Sequence, residues 1–481
     1  MNTPFFDALK NSGNRPHAAF YVPGHKQGKG ISAKLSELWG EKVFRYDLPE
    51  LPEFGDFLPA TGVMKTAQDL AAQTFGADQS WFLANGSTSG VMAAILATCR
   101  DGDKIILPRT VHSCAIGGLI FSGAIPIFIN PVYDANFDLP YTITPEAVEQ
   151  TLSQHDDIKA ILVVSPTYQG VCADIQALAN IAHSYNIPLL VDAAHGAHFG
   201  FHPQFPLSPL ALGADVVIQS AHKTLGALTQ ASLLHLQGKR VNPTSIEFAL
   251  QCLQSSSPSH LLLASLDVAR EQVQTQGNQL LNRAFVLSEE ARSQIKTLSD
   301  ISLFSPPCPE AGCHQLDPTR ITIDVSALGL TGFAADEILH EQCAVTAELP
   351  TARTLTFVVT FGNYRDDITA LIDGLRQLTQ EKQHDTVLFP QISHLPSIGQ
   401  FISPRATFFG KKKALPISET VGKISAELLC PYPPGIPVLM PGEIITKEAI
   451  NYLQEMLSFG KNVSIRGGSD RDLNQIQVLI Q

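Results

Sequence analysis

The chain has 481 residues, 44% hydrophobic and 16% charged, and its 33 Lys and Arg against 45 Asp and Glu leave a net charge of −12. At about 150 residues per domain, this length gives roughly three domains or one large core with satellites, and the low charged share excludes a disordered chain. An acidic balance with no basic stripe argues against nucleic acid as a main partner, and it suits a cationic ligand without identifying one.

Residues 1–13 carry Phe5 and Phe6 but no apolar stretch of signal-peptide length. No later run reaches the ~18 apolar residues of a spanning helix, so the protein reads as cytoplasmic, with no membrane partner. Residues 61–75 place Val63, Leu70, Ala71 and Phe75 at helical spacing, with Gly76 as a stop. Short continuous apolar runs follow at 81–83, 105–107, 125–129, 160–164, 188–191, 216–218 and 232–236, with helical candidates at 87–99, 145–152 and 174–185 between them. Such alternation predicts a mainly parallel sheet covered by helices on both faces. Ligands of these sheets bind at the carboxyl ends of the strands, so the residues just after each run are the ones to inspect.

Beyond Pro258 the character changes. Residues 261–279 predict a long connecting helix, 319–325 and 354–360 are β-rich, and 366–378 form an amphipathic helix. The expected division is an N-terminal segment (1–60), a large domain (61–260), a small α+β domain (261–380) and a Pro- and Gly-richer C-terminal subdomain (381–481). The eight cysteines (Cys99, Cys114, Cys172, Cys252, Cys308, Cys313, Cys343, Cys430) form no CxxC pair, which favours buried reduced thiols over a disulfide framework or a zinc site.

Three stretches carry chemistry. Ser220-Ala221-His222-Lys223-Thr224 follows a predicted strand, where a partly desolvated lysine can be the neutral amine that attacks a carbonyl. Alone, it reads more simply as an exposed turn lysine behind a capping serine. Asp192-Ala193-Ala194-His195-Gly196-Ala197-His198 also lies at a strand end. Asp192 suits a protonated pyridine nitrogen and His195 a phenolic oxygen or a proton transfer, yet a helix-capping aspartate or a metal site fits about as well. The metal reading lacks a third ligand at recognisable spacing, and no metal is expected. Asn85-Gly86-Ser87-Thr88-Ser89-Gly90 stands between a strand and a helix. Helix N–H groups and hydroxyls bind a dianionic phosphate there, although an ordinary cap looks similar, and the Gly-Lys-Ser/Thr ending of a P-loop is missing.

In the order phosphate loop, Asp192 and Lys223, the last two 31 residues apart, the three stretches describe a pyridoxal phosphate site on a parallel sheet. The chain resembles the aspartate-aminotransferase-like (fold type I) pyridoxal phosphate enzymes, and more closely the Orn/Lys/Arg decarboxylase family. Further support comes from Pro23-Gly24-His25-Lys26, from Arg109-Thr110-Val111-His112-Ser113, and from Tyr432-Pro433-Pro434-Gly435-Ile436-Pro437 with Pro441-Gly442-Glu443. The resemblance implies an α/β cofactor-binding domain, a small α+β domain and a C-terminal subdomain. It makes Lys223 the Schiff-base lysine, Asp192 the partner of the ring nitrogen and His112 the stacking residue. Ser87, Thr88, Ser89, Ser220 and His222 would surround the phosphate, and His195 would stand near the phenolic oxygen. Many relatives carry an acidic residue where this chain has Ala193.

The implied activity is decarboxylation of arginine, lysine or ornithine to the amine and CO2, in amine or polyamine biosynthesis. Glu443, with Glu427 behind it, is the candidate to face the distal cation, although either fits a surface or capping carboxylate; Arg405 suits a contact to cofactor or carboxylate, but reads more simply as a structural salt bridge. With the PGHK segment starting at Pro23, the chain resembles the short form of the family, and a homodimer with sites shared between chains is expected. Rival readings are another activity of the same fold, aminotransferase or aldolase, and a non-catalytic binding module.

Overall fold

The computed structural model describes residues 3–381, 402–432, 436–459 and 463–480. Its centre is a seven-stranded sheet: β1 (Gln79–Leu83), β2 (Lys104–Pro108), β3 (Ile125–Ile129), β4 (Ile158–Val164), β5 (Leu189–Asp192), β6 (Val216–Gln219) and β7 (Ser232–Leu236). The order across the sheet is β1-β7-β6-β5-β4-β2-β3. From β6 to β3 every pairing is parallel, and β7 runs against both of its neighbours.

The continuous apolar runs follow from burial on both faces. Side chains alternate along a strand, and in β4 Ile161 and Val163 enter one core while Ala160 and Leu162 enter the other. At roughly 25 cal/mol per Å² of apolar surface, these two cores supply the main stabilisation of the large domain. Gly90 brings the helix Gly86–Thr98 down onto the sheet, since a Cβ there would stand 2.7 Å from Leu83 Cδ1 and 2.9 Å from Ile218 Cγ2. Successive strands after β2 are laid to opposite sides of it, β3 on one and β4 on the other, which opens a crevice at the strands' carboxyl ends.

The connecting helix is longer than its sequence pattern predicts, running His260–Ile295 rather than ending at 279. Leu281, Ala284, Leu287, Ala291 and Ile295 continue the buried stripe past Gly277, because the second half of this helix packs in another core. Its beginning holds the N-terminal helix Pro4–Asn14, with Asp267 accepting the Phe5 and Phe6 N–H groups at 3.0 and 3.2 Å. Its end joins the core of a four-stranded antiparallel sheet that includes Arg320–Asp324 and Thr354–Val358, backed by helices Gly332–Cys343 and Arg365–Gln380. The helix Ser113–Ser122 has no counterpart among the predicted elements; its segment SCAIGGLIFS is apolar nearly all round and shows no helical stripe.

C-terminal residues form a separate core around Leu429, Leu439, Leu453 and Ile476, with the helix Lys447–Ser458 and two small antiparallel pairs. Of the Tyr432 to Pro437 motif, residues 433–435 lie outside the described residues. Among the described residues no helix is long and apolar enough to cross a membrane.

Candidate active site

The loops that follow β2 to β6 enclose a cavity of about 470 Å³, lined among others by Thr110 and His112, Asn130, Tyr168, Asp192 and His195, and His222 and Lys223. Sheet topology alone therefore gathers residues up to 113 positions apart, from Thr110 to Lys223, at one place.

Lys223 stands on the single helical turn Ala221–Thr224 directly after β6. Its Nζ shares a 2.8 Å hydrogen bond with His195 Nε2 and lies 5.8 Å from the centre of the Tyr168 ring. Burial lowers the lysine's pKa below its ordinary value, while Asp192 and Glu348 pull the other way. His195 is held well below the usual imidazole range, first by burial and then by Lys223 and Arg320. Burial thus moves the amine toward the neutral form that a nucleophilic lysine needs and keeps the imidazole beside it uncharged. Tyr168 packs on His195 with ring centres 4.7 Å apart. From behind, the fully buried Arg320 donates Nη2–H to the His195 carbonyl at 2.8 Å. His198 turns away from its neighbour, placing Nε2 3.1 Å from Asp317. The two histidines of this stretch thus serve different places.

Asp192 ends β5 and is buried, with Oδ1 accepting from the Ala194 N–H at 3.2 Å. Burial raises its pKa, and His112 and Lys223 oppose that rise. A buried carboxylate in this position gains from a cation, so it suits a ring nitrogen that binds a proton. His112 caps the helix Ser113–Ser122, its Nδ1 accepting from the Cys114 N–H at 3.2 Å. In the neutral ring this leaves the proton on Nε2.

At the other strand end, Gly86 opens the helix Gly86–Thr98 with φ +77°, a left-handed conformation that costs glycine little. Ser87 and Thr88 then face the cavity beside free helix N–H groups. Ser220 stands one hydroxyl back, donating to Ser87 Oγ at 2.9 Å. His222 donates Nδ1–H to the Ala231 carbonyl at 3.1 Å. Ser89, expected at the phosphate, instead turns into the helix and donates to the Gly86 carbonyl at 2.8 Å. A desolvated amine, a buried carboxylate and an anion cradle in one cavity fit pyridoxal phosphate. His195 Nδ1, buried with no partner among the described residues, adds a polar atom that a ligand can meet.

The three expected substrate contacts stand elsewhere. Glu443 is fully buried in a bidentate pair with Arg109, its Oε1 at 2.6 Å from Nη1 and its Oε2 at 2.8 Å from Nη2, and it also accepts the Met440 N–H at 2.8 Å. Both oxygens are engaged within the chain, and Glu443 is not among the described residues that line the cavity. Glu427 accepts the N–H groups of Ser469 and Gln477 at 2.7 and 2.9 Å and closes a turn of the C-terminal subdomain. Arg405 donates to the Phe121 carbonyl at 2.6 Å, capping the helix Ser113–Ser122 from outside. The PGHK residues also make a turn: His25 lies 3.1 Å from Asp47 and accepts from the Gly28 N–H, and Lys26 bonds the Tyr21 carbonyl.

Sequence reasoning passed over Tyr168, although it lies four residues past β4, in a position the strand-end rule covers. It also passed over a buried relay in which Ser80 Oγ meets His235 Nδ1 at 2.7 Å, His235 Nε2 meets Gln219 Oε1 at 3.2 Å, and Gln219 donates to the Gly196 carbonyl at 3.2 Å. Alternating apolar neighbours hide such residues inside strands.

Residues 3–367 match the family described as Orn/Lys/Arg decarboxylase, major domain, and residues 403–464 match the Orn/Lys/Arg decarboxylase C-terminal domain. The arginine decarboxylase of Bacillus subtilis (strain 168) is 36% identical over 99% of this chain and 98% of its own length. The lysine decarboxylase LdcF of Francisella novicida superposes with a TM-score of 0.84 at 22% identity, covering 100% of this chain and 81% of its own. The alanine–glyoxylate aminotransferase of Nostoc sp. shares the large-domain fold more distantly, with a TM-score of 0.53 at 16% identity over 65% of this chain and 85% of its own. With both domains matched over nearly its whole length, the chain belongs to the Orn/Lys/Arg decarboxylase family, the decarboxylases of basic amino acids.

Proposed function

We propose that the chain decarboxylates L-arginine to its amine and CO2, with pyridoxal phosphate attached at Lys223. The carrying observation is the meeting of Lys223, His195, Asp192 and the Ser87–Thr88 helix start in one cavity. Arginine is favoured over lysine and ornithine by the full-length relative at 36% identity, an arginine decarboxylase.

When bound, the cofactor supplies an electron sink for the bond that breaks at the substrate's Cα. The protein's part is to hold, orient and exclude water. Lys223, whose pKa burial lowers, would be the attachment point and then a proton carrier at Nζ. His195, hydrogen bonded to that Nζ, stays neutral and can relay a proton from it. Asp192 would hold a protonated ring nitrogen, and His112, its orientation set by the Cys114 N–H, would pack against the ring. Ser87, Thr88 and His222 would hold the phosphate, with Ser220 fixing the Ser87 hydroxyl. Among the described lining residues Lys223 is the one lysine, and there is no arginine. No described guanidinium therefore grips the substrate's carboxylate, an arrangement suited to a carboxylate that leaves rather than one that an aminotransferase clamps.

The reading includes a cytoplasmic homodimer. Its support is the exposed apolar chemistry of the segment around the PGHK turn, where Phe20 is 92% and Leu38 75% exposed; such patches are unfavourable in water unless covered. The test is CO2 release by the purified holoenzyme from arginine, lysine and ornithine. Release fastest from arginine supports the reading; none from any of the three overturns it.

A further inference from the structure

The activity requires a partner for the substrate's distal cation. Glu443 and Glu427 are consumed by internal bonds. Among the described residues that line the cavity, two carboxylates occur, Asp192 and Asp138. Asp192 belongs to the cofactor end. From the other we infer that Asp138 is the specificity-determining residue that receives the distal guanidinium or ammonium of the substrate. The inference rests on the decarboxylase reading and gives that site its substrate selectivity.

Asp138 lies in the short hairpin formed by Tyr133–Asp134 and Leu139–Pro140, which projects over the cavity beyond β3. Its φ of +57° is left-handed, a conformation that Asp and Asn enter more readily than other side chains. The charges acting on it are Arg353 and Asp324, whereas those acting on Asp192 are His112 and Lys223. The two carboxylates therefore stand at separate ends of one space, one for a ring nitrogen and one for a side chain that reaches away from it.

Three further observations favour a cation at that end. Arg353 gives its Nη2 to Asp324 Oδ2 at 2.8 Å and to Ser326 Oγ at 3.2 Å. The Asp138 carboxylate itself has no hydrogen-bond donor among the described residues, and burial pushes its pKa up to about 7. An acid so placed has room for a bonded cation, and an arriving guanidinium or ammonium would restore its charge and bind by that difference. The surroundings are also suitable. Tyr133 and Tyr452 line the cavity with Asp138, and the Tyr133 hydroxyl is buried without a partner among the described residues. Aromatic faces and an unused hydroxyl beside a carboxylate suit a planar cation with several donors.

The test compares arginine with citrulline, which replaces the guanidinium by a neutral urea of the same shape. In the holoenzyme, Asp138→Asn should lower kcat/KM for arginine about 10²-fold, the usual effect of removing one partner of a desolvated charge pair. Citrulline, measured as a competitive inhibitor, should bind as well as before or better, and the visible cofactor band should be unchanged. Asn also accepts the left-handed backbone, so the hairpin is retained. An unchanged kcat/KM for arginine overturns the assignment, as does equal weakening of arginine and citrulline or loss of the cofactor band, each of which marks a structural role. Should Asp138→Asn fail to fold, Asp138→Glu decides. Its longer side chain should shift the arginine-to-ornithine preference about tenfold toward the shorter substrate by shortening the cavity, and an unchanged preference overturns the assignment. If the wild-type enzyme releases CO2 from no basic amino acid, the decarboxylase reading fails before Asp138 is reached.

Discussion

Asp192 and Glu443 are both buried acids in motifs of the same family, yet they differ in who supplies the partner. Glu443 has Arg109 at 2.6 and 2.8 Å from within the chain, and its charge is spent on docking the C-terminal subdomain against the loop that ends in His112. Among the described residues Asp192 receives one backbone N–H and no cation at bonding distance. A buried carboxylate left without an internal cation awaits one from outside, whereas a saturated one is part of the framework. Asp138 likewise has no hydrogen-bond donor among the described residues, although the charge of Arg353 acts on it.

Breaking each side of the comparison should give effects of different kinds. Largest is Lys223→Ala, which should reduce CO2 release by roughly 10³-fold or more and abolish the visible band while the far-ultraviolet spectrum is retained. Asp192→Asn should retain cofactor but lower kcat about 10²-fold, as expected for one lost electrostatic contact to developing charge. In Glu443→Gln the main reading moves to stability. Leaving Arg109 buried without its counterion should cost about 3–5 kcal/mol in urea unfolding, with the arginine-to-citrulline discrimination of the surviving enzyme unchanged. Were discrimination lost at full stability, Glu443 would return as a substrate contact.

Smaller effects follow from residues behind the site. Burial holds His235 down to about 3, against ~6.5 in the unfolded chain. Between those values the unfolded chain binds a proton that the folded chain refuses. Stability therefore falls as pH drops through this window, by at most about 1.4 kcal/mol per pH unit from this residue. His235→Gln should flatten that slope when unfolding is compared near neutral and at about pH 5. Least affected is Arg405→Ala, an exposed helix cap, which should change stability by under about 1 kcal/mol and leave kcat/KM as it was.

Much of the central sheet was legible in the chain. Strands β3 and β7 match their apolar runs at both ends, because burial on both faces writes a continuous signal. Lys223, Asp192 and His112 were legible as members of motifs at strand ends, where parallel topology converges. The fate of Glu443, Glu427 and Arg405 was not, since a motif gives residue type and spacing but not whether a distant Arg109 or a helix end has taken the charge first. Ser89 failed for a local reason: one step along a helix turns a side chain by about 100°, enough to take it from the cavity into the helix's own first turn. Asp138 had no motif at all, and only the hairpin that folds over the cavity gives it a role.

The central claim is that Lys223 is the cofactor-bearing amine of this cavity. Reducing the holoenzyme with borohydride and mapping the modified peptide tests it most directly. A pyridoxyl group on Lys223, with loss of CO2 release from arginine in proportion to labelling, is the predicted result. A label on another lysine, such as Lys26 in the PGHK turn, or a fully active enzyme with no label on Lys223, would contradict the account.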